Sequence, residues 1–213
     1  MSISRYQHQC FLHNKCIYIV GGQSTDKKLA KIIECYDHSK GIWTDVATLK
    51  TSRILFSSCF YQDALWVMGG IKSTKDGPLS LVESWNLKSW KIESPLSTPV
   101  MNSTALSFED KIFNIGGRER QHGNFLSSDK ISVYSSTSRI WEVLTRLALP
   151  RHSCNLLTLN GRIYIFGGQQ KLSDTENDVA MITNECWDTE SQKLISPIAP
   201  LPFYSRFTTI VAL

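Results

Sequence analysis

The sequence has no long apolar run, no closely spaced cysteine pair and no basic stretch, and each absence removes a class of function. No window approaches the roughly 18 apolar residues of a membrane-crossing helix. The N-terminal MSISRYQHQCFLHNKC places His, Gln, Asn and Lys where a secretory signal requires an unbroken apolar core. We therefore expect a soluble, cytoplasmic chain with no membrane contact. Its six cysteines, at 10, 16, 35, 59, 154 and 186, contain no CxxC, and its five histidines supply no paired metal ligands. The expectation is reduced, mostly buried thiols and no metal or other cofactor. In such a chain the Asn102-Ser103-Thr104 glycosylation pattern is silent. The net charge of +4 comes without a clustered Lys/Arg stripe, which argues against nucleic acid.

Catalytic signatures are missing as well. There is no G-x-S-x-G elbow, and GGIKSTKDG at 69–77 lacks the GK[ST] ending of a phosphate-binding loop. His8, His13, His38, His122 and His152 are scattered, and we read them as surface or turn residues. The expectation is a chain that is not an enzyme.

What is present is a repeat. Adjacent glycines stand at 21–22, 69–70, 116–117 and 167–168, each pair closing a strand-like run: CIYIV, LWVM, KIFNI and RIYIF. Before those runs lie the polar pairs Asn14-Lys15, Gln62-Asp63, Glu109-Asp110 and Asn160-Gly161, positioned as two-residue hairpin turns. Earlier still come QCFLH, SSCFY, TALSF and CNLLTL. After a variable polar loop, a third strand carries an aromatic: IIECYD, LVESWN, KISVYS and NECWD. Trp43, Trp90 and Trp141 follow it, with Leu194 in the fourth copy. Cys35 and Cys186 share a position before that aromatic and read as core residues.

Each copy thus predicts four short antiparallel strands, and nothing in the chain carries sustained helical periodicity. A lone four-stranded sheet cannot bury both faces, so copies must stack. Radial stacking leaves only short edges, and glycines suit the places where backbones converge. The aromatics and tryptophans are expected to pack between copies, burying about 150–250 Å² each.

Period and landmarks resemble the kelch repeat. The WD40 repeat fits less well, having a shorter period and Gly-His and Trp-Asp signatures that are missing here. The resemblance implies an all-β, kelch-type β-propeller over residues 1–213, with repeats near 5–52, 53–99, 100–150 and 151–205 and the start of a further one at 206–213. Four complete repeats are fewer than kelch propellers usually have. Either the last strand closes a small ring, or the chain is a piece of a longer one, which is the reading preferred here.

The resemblance also implies a site. Kelch domains that hold acidic peptides commonly use the arginine sixteen residues before the glycines and the residue after the pair. Here these are Arg5, Arg53, Arg151 and Arg206, with Val100 breaking the set, and Gln23, Ile71, Arg118 and Gln169. An arginine fork can take a carboxylate through two charge-assisted bonds. It can equally tie neighbouring blades by bonding loop carbonyls, and the sequence leaves both readings open. The family role implied is a non-catalytic protein-interaction module, the substrate-recognition part of a cullin-type ubiquitin-ligase adaptor. No BTB segment precedes Arg5, so a cullin would be reached only indirectly, through a BTB domain supplied elsewhere. The alternative implied is an actin-binding kelch protein. A copper-dependent sugar oxidase, the kelch enzyme class, is remote.

Overall fold

The computed structural model describes residues 1–202. The four repeats fall into two compact units, Met1–Met101 and a second beginning at Asn102. In the first unit the strands are β1 (Arg5–Tyr6), β2 (Gln9–His13), β3 (Cys16–Val20), β4 (Gln23–Ser24), β5 (Ile32–Asp37), β6 (Ile42–Thr48), β7 (Ser57–Tyr61), β8 (Ala64–Met68), β9 (Val82–Trp85) and β10 (Trp90–Ile92). In the second they are β11 (Thr104–Phe108), β12 (Lys111–Ile115), β13 (Arg118–Gln121), β14 (Asn124–Ser127), β15 (Lys130–Ser135), β16 (Trp141–Arg146), β17 (Asn155–Leu159), β18 (Arg162–Phe166), β19 (Gln169–Gln170), β20 (Val179–Ala180), β21 (Asn184–Asp188) and β22 (Lys193–Ile198).

Four antiparallel four-stranded sheets result, ordered β2-β3-β5-β6, β7-β8-β9-β10, β11-β12-β15-β16 and β17-β18-β21-β22. They are the blades of an all-β, kelch propeller-like fold. The first hairpin of each blade turns on the pair the sequence singles out. All eight turn residues have positive φ, including Gln62 (48°), Asp63 (56°), Glu109 (48°) and Asp110 (54°), the signature of a type I′ turn whose twist matches the strands. Burial then falls off across a blade. The second strands β8 and β12 are largely buried, whereas the fourth strands β6 and β22 are mostly exposed. Charges such as Asp45 on β6 and Lys193 on β22 blunt those edges against further pairing.

Two adjacent glycines are required for two different reasons. A Cβ on Gly69 would fall on the Val100 carbonyl oxygen, at the start of the next repeat, where the Gly70 N–H bonds at 2.9 Å. A Cβ on Gly70, whose φ is +82°, would lie 2.6 Å from the Ile54 carbonyl oxygen in the segment entering its own blade. The same division recurs at Gly116, against the Arg151 carbonyl, and at Gly168, against the His152 carbonyl. The first glycine thus admits the following repeat and the second admits the entering segment of its own.

Each unit has its own core. In the first, Tyr18, Val20, Ile33 and Cys35 pack with Phe56, Leu65, Val67 and Trp85; in the second, Phe113, Ile115 and Ile131 pack with Cys154, Ile163, Ile165 and Trp187. Of the third-strand aromatics, Trp85 and Trp187 join these two-blade cores, which is the expected packing between copies. Aromatics also pair across strands inside one blade, Tyr36 with Trp43 (5.1 Å between centroids), Trp85 with Trp90 (6.2 Å) and Tyr134 with Trp141 (5.6 Å). Leu194 stands opposite Trp187 in the same register. Trp85 also meets an aromatic of the neighbouring blade, Tyr18 at 6.4 Å.

Candidate functional site

The arginines sixteen residues before the glycines are buried, each side chain 0% exposed. Arg5 donates from Nη1 to the carbonyls of Gly21 (3.2 Å) and Ile32 (2.9 Å), and from Nη2 to Glu34 at 2.5 Å. Arg53 repeats the pattern with Gly69 (3.0 Å), Leu81 (2.9 Å) and Glu83. Arg151 does so with Gly167 (3.0 Å), Thr183 (2.8 Å) and Glu185 (2.5 Å). Each fork thus recognises a carboxylate of its own blade and locks the first glycine's carbonyl to the third strand. Burial tends to raise the Glu34 pKa, but hydrogen bonds from Ser2 and the charge of Arg5 leave it below the usual glutamate value. Burial pulls Arg53 below the ordinary arginine range, against the opposing charge of Glu83.

With no surface to offer, Arg5, Arg53 and Arg151 are tying residues, and the expectation of direct partner contact is withdrawn for them. The tie runs within a blade through the side chain. It also reaches the preceding repeat, through the backbone where the Gly117 N–H bonds the Arg151 carbonyl at 2.9 Å, and through the carboxylates, Glu83 accepting from the Thr51 hydroxyl (2.9 Å) and Glu185 from the Ala148 N–H (2.7 Å). Arg206 lies outside the described residues.

The sequence also carries a signal for the glutamates. Glu34, Glu83 and Glu185 each stand two residues before the third-strand aromatic, and Ser132 holds that place in the copy where Val100 replaces the arginine. Arginine and glutamate are present together or absent together, as a buried pair requires, because either charge alone would be left uncompensated.

The residues after the glycines sit beside the segment that follows each arginine. Gln23 pairs with Tyr6, Ile71 bridges Ile54 and Gln169 bridges His152. Ile71 and Gln169 are buried. Gln23 keeps partial exposure, accepting from the Tyr6 hydroxyl (2.7 Å) and donating to the Lys27 carbonyl (2.7 Å). Arg118 begins the β13–β14 hairpin, where the sequence predicts only a loop. Its Nε and Nη2 donate to the Phe125 carbonyl at 3.4 and 3.2 Å, and its side chain retains 19% exposure.

His152 differs from the surface or turn placement expected of it, being 1% exposed. The Lys171 backbone N–H donates to Ser127 Oγ (2.8 Å), and the same oxygen shares a hydrogen bond with His152 Nδ1 (2.9 Å) whose direction follows the imidazole tautomer. His152 Nε2 faces Asp178, 3.7 Å from Oδ1, while the other Asp178 oxygen lies 3.7 Å from Arg118 Nη1. Burial, then the charge of Arg118, with a further push from Lys171, draws the His152 pKa down to about 4, against the pull of Asp178. Sequence reasoning missed this cluster because its members come from three separate segments. Among the described residues, no group of three His, Cys, Asp or Glu is arranged to hold a metal ion.

Comparison with known proteins agrees with this geometry. A profile described as "Kelch motif" matches residues 4–50. Alpha-scruin of Limulus polyphemus is 28% identical over 200 residues, covering 89% of this chain and 22% of that protein. Kelch-like protein 40 of Xenopus tropicalis is 26% identical over 148 residues, covering 66% of this chain and 24% of that one. The chain therefore spans about a quarter of the length of these curated relatives. A solved structure of YjhT superposes with a TM-score of 0.75 at 15% identity, over 92% of this chain and 69% of that one, a likeness of fold. Four in-register repeats, propeller-like blades and the Kelch motif matched over residues 4–50 agree on a kelch-type, propeller-like fold for this chain.

Proposed function

We propose that the chain is a non-catalytic protein-recognition module whose contact surface lies on the loops after the glycine pairs, and that the second unit takes an acidic segment. One observation carries this reading. The three arginine forks are spent inside their own blades, whereas Arg118 holds a partly exposed guanidinium on a loop hairpin. Rigid sheets bearing variable loops are the usual platform for recognition. Similarity to Kelch-like protein 40 supports a finer assignment as the substrate-recognition part of a cullin-type ubiquitin-ligase adaptor, with a BTB domain supplying the cullin contact.

The test is direct binding of labelled acidic, neutral and basic peptide pools to the purified chain and to Arg118→Glu. Selective binding of acidic peptides, lost in Arg118→Glu, is the expected result. Equal binding of all pools overturns the acidic-segment reading. Co-sedimentation with filamentous actin, unaffected by Arg118→Glu, would move the assignment to the cytoskeletal alternative.

A further inference from the structure

The reading above places a cationic group on the second unit's loops, and the chain already sets an acidic residue against it. Between β19 and β20 runs KLSDTEND, residues 171–178, with Asp174, Glu176 and Asp178 on a largely exposed loop. Asp178, its last residue, turns back toward the body of the unit and lies between Arg118 and His152, 3.7 Å from each. Both separations exceed a hydrogen bond. Asp178 Oδ1 is enclosed and accepts no hydrogen bond.

A carboxylate taken from water gains little unless its oxygens are fully satisfied. The groups around Asp178 are better organised than its fit to them. Ser127 holds the His152 ring at Nδ1 so that Nε2 faces Asp178 from a ring that is 2% exposed, and the Phe125 carbonyl anchors Arg118 through Nε and Nη2, leaving Nη1 directed at Asp178. The charge of Lys171 also reaches His152. The pocket is thus preorganised for a carboxylate and held by one that fits loosely.

We infer that Arg118 and His152, flanked by Lys171, form a carboxylate-binding pocket for an acidic peptide, and that the chain's own Asp178 fills it as a displaceable plug. The inference rests on the protein-recognition reading and deepens it: the ligand is an Asp- or Glu-bearing segment, and binding requires the 171–178 loop to release Asp178. A tethered carboxylate competes at high effective concentration, so removing it should strengthen binding of a free one by about tenfold.

The experiment uses the loop sequence itself, a fluorescent LSDTEND peptide added in trans to the full chain, read by polarisation. Asp178→Ala is expected to bind it about tenfold more tightly than the unaltered chain. Asp178→Ala combined with Arg118→Ala should lose that gain, and the uncharged peptide LSNTQNN should not bind. The His152 ring resonances of Asp178→Ala should shift on adding LSDTEND and stay unchanged with LSNTQNN. Asp178→Asn, nearly isosteric, replaces Asp178→Ala if the latter does not fold. A folded Asp178 variant that binds LSDTEND no better than the unaltered chain overturns the pocket, whatever the peptide pools return. If the pools show no acidic preference on the unaltered chain while the variant gains binding, the pocket stands and the partner reading falls.

Discussion

Arg53 and Arg151 are among the largest side chains in the molecule with no solvent exposure, and their stability contribution lies in being paired. Removing one partner of such a pair leaves a buried charge, at a cost of about 3–5 kcal/mol, whereas replacing both can be nearly neutral. Arg151→Val and Glu185→Ser should each lower stability by about that amount in urea denaturation. The double change Arg151→Val with Glu185→Ser, patterned on Val100 and Ser132 of the third copy, should cost clearly less than the two single changes added together. Strict additivity would mean that the pair is not the tie described here. His152 gives a second test. It is held neutral with a folded pKa of about 4 against an ordinary 6.5, so between those values the unfolded chain takes up a proton that the folded chain refuses. Stability should therefore fall as pH falls from about 6.5 to about 4, by about 3 kcal/mol in total. His152→Gln should flatten that part of the profile. An unchanged slope would place the titrating group elsewhere.

At the scale of elements, the glycine pair and the turn before it do most of the shaping. Gly70 combines a φ of +82° with the Ile54 carbonyl 2.6 Å from any added Cβ. Gly70→Ala should cost about 2 kcal/mol or more, because strained backbone and steric overlap add. The Gln62-Asp63 turn holds two non-glycine residues at positive φ. Gln62→Asn with Asp63→Gly should stabilise the chain by about 0.5–1 kcal/mol, visible as a raised melting temperature. Both features were legible in the sequence because they recur four times in register. The glutamate partners were written there equally plainly, two residues before each aromatic, but they become interpretable only once the arginine is seen to point inward. The β13–β14 hairpin was not read, although His122-Gly123 is a sound turn, because it occurs in a single copy and repeat logic treats unique segments as loops. Nor could the burial of His152 be read, since it depends on β14 and the segment after β19 meeting over it.

At the scale of the whole molecule, the net charge of +4 is too small to steer an acidic partner by itself. Attraction must come from where the charges sit, and the second unit gathers Arg118 and Lys171 near Asp178, Asp174 and Glu176 on one loop. Such a surface is partly self-neutralised, and opening it exposes net positive charge. Salt sensitivity then becomes diagnostic. Screening at about 0.15 M weakens exposed charges beyond roughly 8 Å, while close, desolvated pairs are affected less. The unaltered chain should bind an acidic peptide weakly and with a shallow salt dependence, because salt loosens the internal plug as well as the complex. Asp178→Ala should bind more tightly and with a steeper loss on raising salt, since only the complex is then screened. The slopes are compared by titrating the labelled peptide across a salt series. Parallel slopes for the two chains would mean that Asp178 does not compete for the site, and that whatever attracts an acidic segment lies on another face of this chain.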